Sequence, residues 1–108
     1  MFLHAWWQRR QERRLLRLLA IAAETFAART GPIWSTKYSS GEEIAQFVRE
    51  CVKSIRAGTC DQGRKLELMT IFAPTCDWDD IVGDVELGNQ VYSSLTCLYR
   101  ADVPGKSK

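Results

Sequence analysis

The sequence is poor in the residue types and motifs on which catalysis and metal binding depend. His4 is its only histidine, and its four cysteines, Cys51, Cys60, Cys76 and Cys97, form no C-x-x-C pair. A zinc site of the usual paired-ligand spacing and a Cys–His nucleophile are therefore not expected. The G-x-S-x-G, Walker and G-x-G-x-x-G motifs are also missing. We predict a protein that is not an enzyme and that has no metal or cofactor.

Long apolar runs are missing as well. The longest uncharged apolar stretch near the N-terminus, Leu18 to Ala23, is far shorter than the roughly 20 residues that cross a bilayer. The segment from Leu15 to Ala23 resembles the apolar part of a signal peptide, but Arg17 interrupts it and Glu24 follows it. We therefore predict no membrane span and a cytoplasmic location.

The four cysteines could form two disulfides, since their number is even. In a cytoplasmic protein we instead predict reduced thiols that pack as small apolar groups. Cys51 and Cys97 fall on apolar helix faces in the sequence.

Residues 2–29 contain no glycine or proline and are rich in helix-forming residues. At a rotation of about 100° per residue, the apolar and the basic residues fall on opposite faces of this helix. The apolar face comprises Leu15, Leu18, Leu19, Ala22, Ala23 and Phe26, and the basic face comprises Arg9, Arg10, Arg13, Arg14 and Arg17. A helix of this length is about 42 Å long, whereas a domain of this size has a radius of gyration of only about 13 Å. We expect residues 1–14 to protrude or to self-associate, and Gly31 with Pro32 to end the helix.

Further helices follow along the chain. Ser39 with Glu42, or Ser40 with Glu43, has the spacing of a capping box before an apolar helix that stops at Gly58. Residues 64–73 fit either a strand or a helix, and we favour a helix because no partner strand is evident. A short helical turn over 78–82 and a last helix over 85–100 complete the chain, and residues 101–108 form a frayed tail. The sequence thus predicts an all-α, single-domain bundle of about four helices over residues 1–108.

Charge is distributed unevenly. The formal charge of the whole chain is +2, but residues 1–38 carry +5 and residues 76–108 carry −3. We name residues 73–89 the acidic segment. Five acids lie within ten consecutive residues of this segment: Asp77, Asp79, Asp80, Asp84 and Glu86. Ordinary helix capping by these carboxylates is one interpretation. An acidic docking surface is a second, and a metal loop is a third, although the EF-hand spacing does not fit.

The leading functional hypothesis is a small helical module, such as an adaptor, inhibitor or immunity-like regulator, that binds a protein partner. Its contacts would be the five acids of the acidic segment together with Trp78.

The alternative hypothesis is binding of nucleic acid or of an anionic membrane through the basic face, with Trp6 beside it. A merely solvated helix face is the plain interpretation of those arginines. A further interpretation joins the two charged regions, since the basic end could dock on the acidic segment within one molecule or between two copies.

Overall fold

The chain folds into a helical bundle. The computed structural model describes residues 2–30, 33, 37–73, 78 and 81–99, with side chains described from residue 6 onward. Within these residues there are four helices and no strand, which confirms the predicted all-α fold. The helices are α1 (Phe2–Ala27), α2 (Gly41–Ala57), α3 (Gln62–Phe72) and α4 (Val85–Tyr99).

Helix α1 is continuous and about 39 Å long. The principal extents of the molecule are 48 × 28 × 25 Å, so α1 can lie only along the long axis. All six residues of its predicted apolar face are buried. The helix ends at Ala27, where the Arg29 N–H donates to the Phe26 carbonyl at 3.0 Å. The predicted stop at Gly31 and Pro32 lies outside the described residues.

A capping box begins α2, and the structure selects the second of the two predicted registers. The Ser40 hydroxyl accepts a hydrogen bond from the Glu43 N–H at 3.2 Å, and the Glu43 carboxylate accepts one from the Ser39 N–H at 2.6 Å. These bonds satisfy backbone donors that have no partner within the helix. Apolar residues at helical spacing then bury one face, formed by Ile44, Ala45, Val48, Cys51 and Ile55.

Residues 64–72 adopt the favoured helical conformation, and Ala73 follows the helix with an extended backbone. Helix α3 starts at Gln62 because the Asp61 carboxylate caps it, accepting from the Arg64 N–H at 2.8 Å. Helix α4 is described from Val85 to Tyr99, and its predicted end at residue 100 lies outside the described residues. Its buried face includes Gly88, Val91, Ser94 and Leu95.

An aromatic cluster joins the helices at the centre of the core. The Trp78 ring packs edge-on against Phe26 of α1, with centroids 5.2 Å apart, and lies 5.3 Å from Phe72 of α3. All three side chains are almost completely buried. Trp78 is therefore the residue that fixes the start of the acidic segment to α1 and α3.

The cysteines differ from their predicted positions in one respect. Cys51 is buried and Cys60 is half-buried, whereas Cys97 is exposed. The prediction that Cys97 packs in the core is wrong, because α4 turns Val91 and Leu95 inward and residue 97 lies about 200° around the helix from Leu95. These three cysteines are free thiols, and Cys76 lies outside the described residues.

None of the helices in the described ranges is both long enough and apolar enough to cross a membrane.

Candidate functional site

A basic groove runs along α1 where it faces the end of α2. Arg9, Arg13 and Arg17 recur every four residues, so successive side chains are separated by about 6 Å along the helix axis. Arg56, in the last turn of α2, joins them from the neighbouring helix. We name this the arginine groove. It has a volume of about 800 Å³ and is lined by Arg9, Glu12, Arg13, Leu16, Arg17, Ala20 and Arg56.

The placement of Arg56 follows from how α2 packs on α1. Gly41 at the start of α2 lies so close to the end of α1 that a Cβ there would be 2.2 Å from the Phe26 carbonyl oxygen. This close contact fixes one end of α2 against the C-terminal end of α1. The opposite end of α2, which carries Arg56, then lies beside the middle of α1.

A Schellman turn ends α2 directly after Arg56. Gly58 adopts a left-handed φ of 75°, and its N–H donates to the Ile55 carbonyl at 3.1 Å. The Thr59 N–H donates to the Ser54 carbonyl at 2.8 Å. Both bonds satisfy carbonyls at the helix end, where a cation such as Arg56 is also favoured by the helix dipole.

The arginine groove carries a formal charge of +3, from four arginines and Glu12. No ion pair between described residues engages any of its four guanidinium groups; the pairs found there join Lys37 to Glu67 and Arg49 to Glu42. A concave surface with several uncompensated arginines attracts anions by its electrostatic field. Guanidinium groups also form bidentate hydrogen bonds to phosphate and carboxylate.

A second groove continues the first. It has a volume of about 260 Å³ and shares Arg9 and Glu12 with the arginine groove. Leu98 and Tyr99 at the end of α4 line its other side, and we name it the tyrosine groove. The Lys65 ammonium lies 4.5 Å from the centroid of the Tyr99 ring. The two grooves together form one path that passes from arginines to an aromatic ring.

The other two arginines of the predicted basic face lie elsewhere. The Arg10 guanidinium carbon is 5.3 Å from the centroid of the Trp6 ring, which is 53% exposed. Arg14 lines a separate groove, of about 600 Å³, with Glu86 and other residues of α4. The packing of α2 and α4 on either side of α1 therefore divides the five arginines of the basic face between different surfaces.

The acidic segment is only partly described, since Asp77, Asp79 and Asp80 lie outside the described residues. Asp84 caps α4 by accepting from the Leu87 N–H at 3.1 Å, as the capping interpretation predicts. Glu86 is exposed in the first turn of α4. In the described part of the chain, no three His, Cys, Asp or Glu side chains gather as a metal site requires.

Trp78, which the sequence places among the partner contacts, has no exposed surface in the structure. Its ring N–H donates to the Asp84 carbonyl at 2.6 Å, so its polar atom is also engaged inside the protein. In this conformation Trp78 anchors the acidic segment to the core and has no exposed surface for a partner to contact.

Arg56 is the groove residue that sequence patterns do not associate with α1. The sequence gives one signal for it, since Arg56 is a cation in the last turn of a predicted helix. The ordinary interpretation of such a residue is a charge that the helix dipole favours. Its proximity to Arg13 and Arg17 depends on tertiary packing.

The fold and the grooves define a small all-α bundle with a basic concave surface. Comparison with protein-family models, with curated proteins and with solved structures finds no match.

Proposed function

We propose that the protein is a small non-enzymatic helical module that binds nucleic acid through the arginine groove. The observation that carries this proposal is the convergence of four arginines from two helices on one concave surface, without ion-pair partners among the described residues. Phosphate contacts supply most of the affinity of proteins for nucleic acid, and arginine makes them readily.

The shape of the surface favours nucleic acid over an anionic membrane. A helix that lies on a bilayer needs an apolar face to insert, and the apolar face of α1 is buried in the core. Of the large apolar side chains described on α1, Trp6 and Ile21 remain exposed. A groove fits a protruding chain of phosphates better than it fits the flat surface of a membrane.

Fluorescence anisotropy with labelled DNA and RNA at several salt concentrations tests the proposal. The double variant Arg9→Gln/Arg13→Gln should weaken binding and reduce the magnitude of the salt slope by about 1.4 to 1.8. The matched control is Arg10→Gln/Arg14→Gln, which removes the same charge from the same helix outside the arginine groove. This control should leave the salt slope unchanged. Equal effects of the two double variants, or no binding by the native protein, would contradict the proposal.

A second candidate is binding of a protein partner through the acidic segment. Two observations favour this candidate: Glu86 is exposed, and the buried Trp78 anchors the acidic segment to the core. In a pull-down with nuclease treatment, Asp79→Asn/Asp80→Asn should abolish capture of such a partner and leave nucleic-acid binding intact. Capture that is unaffected by this double variant would exclude the acidic segment as the contact.

The partner could also be a second copy of the chain, with the arginine groove of one copy on the acidic segment of the other. Sedimentation at low and high salt tests this version. An association that disappears at high salt supports it, and a monomer at both salt concentrations excludes it.

A further inference from the structure

We propose that the nucleic acid bound by this protein is single-stranded, and that it follows the path from the arginine groove into the tyrosine groove. This inference rests on the proposed function and specifies its ligand. Three observations carry it: the size of the path, the position of Tyr99, and the presence of a carboxylate among the arginines.

The first observation concerns size. The arginine groove, at about 800 Å³, is within the range of pockets that hold small molecules, about 300–1,000 Å³, and the tyrosine groove adds about 260 Å³. Such a path accommodates a few nucleotides of one strand. A duplex is too thick a rod to enter grooves of this volume, so it would lie across their rim and contact fewer of their residues.

The second observation is the aromatic ring at one end of the path. Tyr99 is half-buried beside Leu98, and Lys65 lies against its ring. Surfaces that bind single strands combine a basic groove with aromatic rings on which unpaired bases stack. In a duplex the bases are already stacked on one another, so Tyr99 would add nothing to its binding.

The third observation is Glu12, which lines both grooves. Its carboxylate repels phosphates at that point and accepts hydrogen bonds only. Base amino groups are suitable donors, and in RNA recognition the Watson–Crick edges of unpaired bases are contacted in this way. The path thus carries one carboxylate for base contacts among the arginines that bind phosphate.

The experiment measures anisotropy of labelled oligonucleotides of about 12 nucleotides, within the range of site sizes known for single-strand binders. Single-stranded DNA, single-stranded RNA and the DNA duplex are titrated with the full chain at one salt concentration. We expect at least one single strand to bind about tenfold more tightly than the duplex. Equal or tighter binding of the duplex overturns this inference but leaves the proposed function intact, whereas no binding of any oligonucleotide overturns both.

Two variants of Tyr99 complete the test. Tyr99→Phe retains the ring and should bind the single strand like the native protein. Tyr99→Leu removes the ring but remains apolar, and should weaken single-strand binding about tenfold with little effect on any duplex binding. Thermal melting of both variants checks that α4 remains folded. A folded Tyr99→Leu variant that binds the single strand with native affinity would overturn the path through the tyrosine groove.

Discussion

The indole ring of Trp78 lies directly against Gly88 of α4. A Cβ atom added at Gly88 would be 2.4 Å from Cδ1 of Trp78 and 2.8 Å from Nε1. The ring has no room to withdraw, since it is fully buried between Phe26 and Phe72 and its Nε1 donates to the Asp84 carbonyl. This contact joins the acidic segment, α4 and the core.

Gly88→Ala should therefore destabilise the protein. Alanine is favoured over glycine in a helix by about 1 kcal/mol, but overpacking typically costs about 1–3 kcal/mol, so we expect a net loss of up to about 2 kcal/mol. Urea denaturation measures the free energy of unfolding. Gly63→Ala in α3 is the control, because its nearest neighbour would be Asp61 Oδ1 at 3.6 Å. A Gly88→Ala variant as stable as Gly63→Ala would contradict the packing of Trp78.

The capping box of α2 gives a second prediction. Ser40→Ala removes the acceptor for the Glu43 N–H and should lower the free energy of unfolding by about 1 kcal/mol. Ser93→Ala, at an exposed position within α4, should cause no loss. Thermal melting followed by circular dichroism compares the two variants, and equal stabilities would show that Ser40 does not act as the cap.

The pH dependence of stability provides a third prediction, through Glu67. Burial alone would raise the pKa of the Glu67 carboxyl, but hydrogen bonds from Lys37 and Tyr38 outweigh it and hold the pKa below its ordinary value of 4.5. A pKa that is lower in the folded state adds stability above the unfolded pKa, and this stability is lost as the pH falls through the folded value.

Glu67→Gln should accordingly be less stable than the native protein at neutral pH. The difference in the free energy of unfolding should shrink once the pH falls below about 4.5. Urea denaturation between neutral pH and pH 3 measures it, provided that both proteins remain folded without denaturant. A difference that is the same at every pH would contradict the role assigned to this carboxylate.

Thiol reactivity gives a fourth prediction. Burial, with a smaller contribution from the nearby Cys60, raises the pKa of the Cys51 thiol to about 12. Since the thiolate is the reactive form, native Cys51 should resist alkylation at pH 8 while the exposed Cys97 reacts. Peptide mass spectrometry after a short treatment with iodoacetamide measures both sites. In denaturant the two cysteines should react alike, and rapid labelling of Cys51 in the native protein would contradict its burial.

Much of the bundle could be predicted from the sequence because helix formation is a local property. The apolar face of α1, the capping box at Ser40 and the stop at Gly58 all depend on residues within a few turns of one another. The same applies to Asp84, whose capping role follows from its position before α4. The local pattern of residues 64–73 fits a strand or a helix equally, and the lack of a partner strand correctly predicts the helix, which spans Gln62–Phe72.

The candidate site could be predicted only in part, because it depends on contacts between helices. The basic face of α1 is visible in the sequence, but its division between two grooves is set by the packing of α2 and α4 on either side of α1. Arg56 and Tyr99 join the site through the same packing. Trp78 is misleading in the sequence, since a tryptophan among five acids resembles an exposed contact and is in fact the centre of the core.

The most direct test of the arginine groove is the salt dependence of nucleic-acid binding by Arg56→Gln, because this residue belongs to the site only through the fold. Lys53→Gln, at an exposed position on the same helix and outside the groove, removes an equal charge and serves as the control. We predict that Arg56→Gln weakens binding and reduces the magnitude of the salt slope by about 0.7 to 0.9, while Lys53→Gln leaves the slope at its native value. A native affinity and salt slope for Arg56→Gln would contradict the account.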